Sequence, residues 1–263
     1  MYNQIVNNNF LKGRKIMSSI NLAFGFPKEA EKAKAERWPV LIPVGTMEYH
    51  SEHCAYGCDS LVSIGTVDRI AQKIDAVVLP PIWYGVASFA VAGPEKNTIH
   101  VDCDTFEDYM YAILKSLIYG GWRNIYMIIS HQTEDYNPMQ LACMKAARKL
   151  IFEYLEDVRG KGWWGSNEMK EFYDSLDNDD NPWNWIKAVG SVPDSSGRLS
   201  VGDHAGKHEC SVLKALFPEA VKEERIPDSK EWFTQTAKDM SAEYGEEEVQ
   251  KRVDKLIKYI TNN

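Results

Sequence analysis

Short, strongly apolar runs separated by segments of helical period narrow the fold of this chain more than any other feature of its sequence. The clearest run is Asn124-Ile125-Tyr126-Met127-Ile128-Ile129-Ser130, and residues 138–157 after it are helical by spacing and composition. Val40-Leu41-Ile42-Pro43-Val44 reads as an earlier buried strand, followed by a helix over residues 59–73 that opens at Asp59. Ala76 to Ile82 is a third strand candidate, and residues 104–119 form an amphipathic helix with an Asp or Thr cap and a stop at Gly120-Gly121. Ahead of these, residues 28–37 are rich in helix formers and end before Pro39. Strands alternating with helices predict a three-layer α/β/α fold around a mostly parallel sheet. Ligands of such folds sit outside the carboxyl ends of the strands.

The chain of 263 residues is long enough for one substantial core, and neither a repeat nor a low-complexity linker divides it. A single domain over residues 1–263 is therefore expected. It carries an irregular excursion at about 160–200, where Gly, Asn and Asp mix with Trp163, Trp164, Trp183 and Trp185 and suit a lid or a subunit contact. From about Thr234 to Ile260 the sequence reads as one polar helix interrupted near Gly245. A formal net charge of −8 argues against nucleic acid or an anionic membrane surface as partner and leaves small molecules. The five cysteines include no C-x-x-C pair, so neither a disulfide framework nor a cysteine-type zinc site is indicated, and a reducing cytoplasm fits. No stretch approaches the roughly 20 apolar residues that span a bilayer, and the first twenty residues lack the apolar core of a signal peptide.

Chemistry concentrates in three segments. Gly45-Thr46-Met47-Glu48-Tyr49-His50-Ser51-Glu52-His53, with Asp59 a little further on, follows the first of these strands. An extended backbone there puts Glu48 and His50 on one side, because strand side chains repeat every two residues. Ser130-His131-Gln132-Thr133-Glu134-Asp135 follows the strongest strand, which stations His131 at a strand terminus. Gly202-Asp203-His204-Ala205-Gly206-Lys207-His208-Glu209-Cys210-Ser211 precedes an apolar helix, with Glu209 in its first turn. Taken singly, each pattern is short enough to arise by chance as a surface carboxylate, a loop histidine or a glycine-bearing helix entry.

Together, and in this order, the three resemble the signatures of the creatininase (creatinine amidohydrolase) family. The first, G-x-x-E-Q-H-G-x-H with a later Asp, is matched by Gly45, Glu48, His50, His53 and Asp59, with Tyr49 and Ser51 in place of Gln and Gly. The second, N-G-H after an apolar strand, is matched at His131. The third, H-[AG]-G-x-x-E-[TC]-S, is matched by His204, Ala205, Gly206, Glu209, Cys210 and Ser211. The likeness runs from about Val40 to Pro218, and residues from Thr236 to Gly245 resemble the family's closing helix.

The resemblance implies a metal-dependent amidohydrolase that cleaves a non-peptide C–N bond in a small amide, cyclic amide or formamide. Two divalent ions, Zn²⁺ or Mn²⁺, are implied: one on Glu48, Asp59 and His131, the other on His50 and a shared Asp59. A Glu that completes the second site in creatininase falls at Thr133 here, and Glu134 one residue on is the substitute considered, as ligand or acid–base group. His204 is implied as the proton-transfer residue with Asp203 beside it, and Glu209 takes either a catalytic or a supporting role. His53 orients the loop or contacts substrate. Of the family's F-P-G-T stretch only Thr98 is retained, before His100. A homo-oligomer, commonly a hexamer in this family, is also implied. The competing expectation is a catalytically silent relative that keeps the fold and binds a metal or ligand.

Overall fold

The computed structural model describes residues 18–131, 137–176, 180–190 and 203–262. Among the described residues, five parallel strands form one sheet: β1 (Ile20–Asn21), β2 (Val40–Val44), β3 (Val77–Val78), β4 (Ile125–Ile129) and β5 (Ile186–Gly190), in the spatial order β1-β3-β2-β4-β5. Seven helices of the described residues accompany them: α1 (Pro27–Ala35), α2 (Cys58–Ala71), α3 (Cys103–Tyr119), α4 (Pro138–Arg159), α5 (Glu168–Ser175), α6 (Lys207–Leu216) and α7 (Ala242–Thr261). The central strands β2 and β4 are buried at every position. Alternation sends their side chains to opposite faces: Val40, Ile42, Val44, Ile125, Met127 and Ile129 pack in one core with Ala33, Phe106, Met110, Leu150 and Ile151. Leu41, Tyr126 and Ile128 pack in a second core with Val62, Ile70, Leu213, Val253 and Leu256. Helices α1, α3 and α4 thus cover one face and α2, α6 and α7 the other, which is the expected three-layer α/β/α fold.

Pro43 lies inside central strand β2, a position that normally demands a backbone donor. Strand β3 has already ended at Val78, and Pro43 contributes only its carbonyl, which accepts from the Ile82 N–H at 2.9 Å. The third strand is correspondingly shorter than the apolar run from Ala76 to Ile82 implies, because Pro80 and Pro81 carry the chain out of the ladder.

Two expectations are corrected. The stretch at 160–200, expected to be irregular, contains helix α5 and the edge strand β5. Its described tryptophans behave mostly as core: Trp163 is buried, Trp183 and Trp185 pack against the first core, and Trp164 alone stays open to solvent. Trp185 also lies 4.1 Å from the Arg123 guanidinium. These ring contacts explain the composition better than a lid does. Helix α7, in turn, runs unbroken through Gly245. A β-carbon at that position would come within 1.9 Å of the Ser211 carbonyl oxygen, so the glycine is there for the close approach of α6 and α7.

Candidate metal centre

Strands β2 and β4 are neighbours in register, Val44 opposite Ile129, and the first two histidine-bearing segments begin where these strands end. This pairing brings distant residues such as Glu48 and His131 to one place at the carboxyl edge of the sheet. Gly45 makes the exit from β2 possible, because a β-carbon there would sit 2.5 Å from the backbone of Ser60 in α2. The loop is then pinned from several sides. The Tyr49 N–H donates to Thr98 Oγ1, and the Tyr49 and Ser51 hydroxyls donate to the two oxygens of Glu231 at 2.6 and 2.8 Å. The two departures from the family signature therefore serve a common anchor. Ser51 holds φ 62°, a left-handed conformation beside the site.

Glu48 and Asp59 are 3% and 4% exposed and stand together, with His131 Nδ1 3.4 Å from Glu48 Oε2 and 3.2 Å from Asp59 Oδ2. The ligand atoms of Glu48, Asp59 and His131 all lie within 4.8 Å of one another. Burial, with the charge of Asp59 adding to it, pushes the Glu48 carboxyl up to about 7. Two carboxylates out of water beside each other are costly unless a cation joins them. His50 stands next to them. Its Nδ1 lies 3.0 Å from the Glu48 carbonyl oxygen, which can only accept, so Nδ1 carries a proton and Nε2 is the ring atom left for another partner. That Nε2 is buried, has no hydrogen-bond partner among the described residues, and faces Glu209 Oε2 at 3.4 Å and Asp59 Oδ1 at 3.9 Å. An orphaned imidazole nitrogen aimed at carboxylates fits a divalent ion of the Zn²⁺ or Mn²⁺ type.

The third segment closes the same cavity. The His204 ring stacks over His50 with centroids 4.2 Å apart, its outer side met edge-on by Phe233 at 5.2 Å. Its Nε2 donates to the Tyr49 carbonyl at 2.8 Å, leaving Nδ1 as an acceptor, and burial together with neighbouring His50 lowers its pKa. Asp203 accepts the His208 and Glu209 N–H groups at 2.8 and 2.9 Å and so satisfies the start of α6. Both oxygens of Asp203 thus support the segment directly beside His204. Glu209 accepts from the Ala205 N–H at 2.7 Å while facing His50, which joins the supporting and the site-facing roles in one side chain.

His53 holds the loop: its Nε2 meets the Ala205 carbonyl at 2.9 Å and its Nδ1 the Ser229 hydroxyl at 2.7 Å. His100 lies with Phe89 and the Ser88 N–H, and His208 with Tyr244. Glu134 and Thr133 lie outside the described residues. Sequence reasoning passed over Glu231, Phe233 and Cys58, all of which touch this site or its loop. Glu231 and Phe233 sit in a segment with no motif, and Cys58, although it stands beside Asp59, has no base tied to it in the sequence.

The chain is similar to known proteins in sequence and in fold. Creatinine amidohydrolase of Pseudomonas putida is 23% identical over 196 residues, which is 72% of this chain and 68% of that protein. The 3-dehydro-scyllo-inosose hydrolase of Thermotoga maritima is 26% identical over 192 residues, 73% of this chain but little more than half of the relative, at 54%. Among solved structures, creatinine amidohydrolase (creatininase) and a manganese form of creatininase each superpose with a TM-score of 0.69 at 20% identity, covering 93% of this chain and 98% of theirs. A family model described as creatininase, creatinine amidohydrolase, matches residues 27–260, a span that takes in α1 through nearly all of α7 and every histidine-bearing segment, and this chain accordingly belongs to the creatininase family.

Proposed function

We propose that the chain is a metal-dependent hydrolase that cleaves a C–N bond in a small amide, cyclic amide or formamide. One observation carries the reading: Glu48, His50, Asp59 and His131 gather in one buried hollow, with an imidazole nitrogen that has no hydrogen-bond partner among the described residues turned toward acidic oxygens. Glu48, Asp59 and His131 would hold one divalent ion, and His50 with Asp59 a second. Ions held there supply Lewis acidity toward a carbonyl group and toward water. The Zn²⁺ and Mn²⁺ forms among the creatininase structures support that choice of metals.

The protein's own part is positioning and proton handling. Glu48 and Asp59, shielded from water, concentrate negative charge that a bound cation would relieve. His204 keeps Nδ1 as a proton acceptor, because Nε2 is committed to the Tyr49 carbonyl. A proton taken up there passes to the departing nitrogen, which is the usual work of a positioned imidazole. Phe233 excludes water from one side of that ring. The two curated relatives are hydrolases of different substrates, one named for creatinine and one for 3-dehydro-scyllo-inosose. The reading therefore commits to hydrolysis and to a small substrate with an activatable carbonyl. Assembly into a homo-oligomer, of hexameric type by family resemblance, belongs to the same proposal.

The test is metal analysis of protein purified without chelator, followed by a panel of cyclic amides, formamides and creatinine with and without added Zn²⁺ or Mn²⁺. Metal-dependent turnover of a panel member, lost in His131→Ala together with the ion of the Glu48, Asp59 and His131 set, is the expected result. A metal-replete protein that turns over none of them favours a silent, ligand-binding relative.

A further inference from the structure

The centre described above has one set of three ligands, Glu48, Asp59 and His131, and on the side of His50 a second, Glu48, His50 and His204, in which the Nε2 of His204 is already committed to the Tyr49 carbonyl. In the family pattern a glutamate completes that side, and Thr133 occupies its position in this sequence. The described residues offer another completion. The ligand atoms of His50, Cys58 and Glu209 also lie within 4.8 Å of one another, on the wall of the hollow adjoining the first set.

Three independent elements deliver them. His50 is oriented by its Nδ1 contact with the Glu48 carbonyl, and its buried Nε2 has no hydrogen-bond partner among the described residues. Cys58 is the first residue of α2, immediately before Asp59, and is 0% exposed. Glu209 comes from the first turn of α6 and lies 3.4 Å from His50 Nε2. Arg252 from α7 interacts electrostatically with both Glu209 and Cys58.

We propose that His50, Cys58 and Glu209 form a thiolate-containing cation site for a zinc-like ion, with Asp59 lying between it and the Glu48–Asp59–His131 set. The inference rests on the reading of the hollow as a metal centre and names the ligands of its second ion. Ion binding forms a sulfur–metal bond as the Cys58 S–H proton leaves to solvent, with no change of oxidation state. The donor types then differ between the two sides. A soft thiolate beside an imidazole selects zinc, whereas two carboxylates and an imidazole also accept manganese. The site thus gives the chain a metal preference on one side that the family signature does not contain.

Cobalt reports on this directly, since a cobalt–thiolate bond adds a sulfur-to-metal charge-transfer band in the near ultraviolet. Full-length protein, stripped and reloaded with Co²⁺, is expected to show that band, to lose it in Cys58→Ser, and to keep it in His131→Ala. Zinc affinity of the second site should fall at least about tenfold in Cys58→Ser and in the isosteric Glu209→Gln. The second variant decides the matter if the first does not fold. Cobalt uptake without a thiolate band overturns the proposal, as does unchanged zinc affinity in Glu209→Gln. A band that survives Cys58→Ser but disappears in Cys210→Ser also overturns it, placing the ion instead on neighbouring Cys54 and Cys210, whose sulfurs are 2.7 Å apart. Metal that depends on His131 in a protein without the band leaves the three-ligand centre standing and refutes only this site. A band accompanied by metal content indifferent to His131 does the reverse.

Discussion

His50 and His204 lie ring against ring, yet their proton positions are fixed by different carbonyl groups and to different ends. His50 gives its Nδ1 proton to Glu48 and keeps Nε2 for a cation, whereas His204 gives its Nε2 proton to Tyr49 and keeps Nδ1 for a transferable proton. Neither assignment can be read from sequence, because both depend on backbone carbonyls brought round by the loop. The difference separates ligand from proton carrier and can be measured. His204→Ala should retain the bound metal while lowering kcat on any substrate turned over by about 10²–10⁴-fold, the usual weight of a positioned acid–base group. Metal content and turnover measured on the same sample check this, and loss of metal in that variant would make His204 a ligand instead.

At the scale of elements, helix α2 both serves the site and carries a cost. Its first turn supplies Cys58 and Asp59, and its Ser63 hydroxyl accepts from the Val44 N–H and donates to the Ile128 carbonyl, tying the helix to β2 and β4. Further along, burial raises the Asp68 carboxyl to about 6 from an ordinary 3.8. A carboxyl whose folded pKa lies above its unfolded one favours the native state when protonated, so this group's contribution is present below about pH 4 and is lost as pH rises through 6. Asp68→Asn should therefore stabilise the protein at neutral pH by up to about 3 kcal/mol, with the gain vanishing near pH 4. Denaturant midpoints of both proteins across that range check the sign. Strands β2 and β4 and helices α2, α3 and α4 were legible in the sequence because continuous apolar runs and helical spacing are local signals. Edge strand β5 escaped because Ile186-Lys187-Ala188-Val189-Gly190 is only partly buried and follows a tryptophan-rich stretch whose rings pack on α4. The continuity of α7 escaped because the reason for Gly245 is the backbone of α6, which lies elsewhere in the chain.

For the molecule as a whole, the order of strands decides where chemistry happens. Placing β2 beside β4 at the centre of the sheet joins the segment after Val44 to the segment after Ile129, and α6 and α7 fold back over the same edge to add His204, Glu209 and Arg252. Three signatures in the right order were enough to name Glu48, His50, Asp59 and His131 in advance, and the fold brings those four together. The thiol of Cys58 and the anchor of Glu231 became visible only in three dimensions, since each is a single residue without a motif. The central claim is that this hollow holds divalent cations on acidic oxygens and imidazole nitrogens. Anomalous diffraction from crystals of protein grown and purified with Zn²⁺, recorded at the zinc absorption edge, tests it most directly. A strong peak among Glu48, Asp59 and His131 is the expected result; fully ordered side chains at that place with no peak between them would contradict the claim.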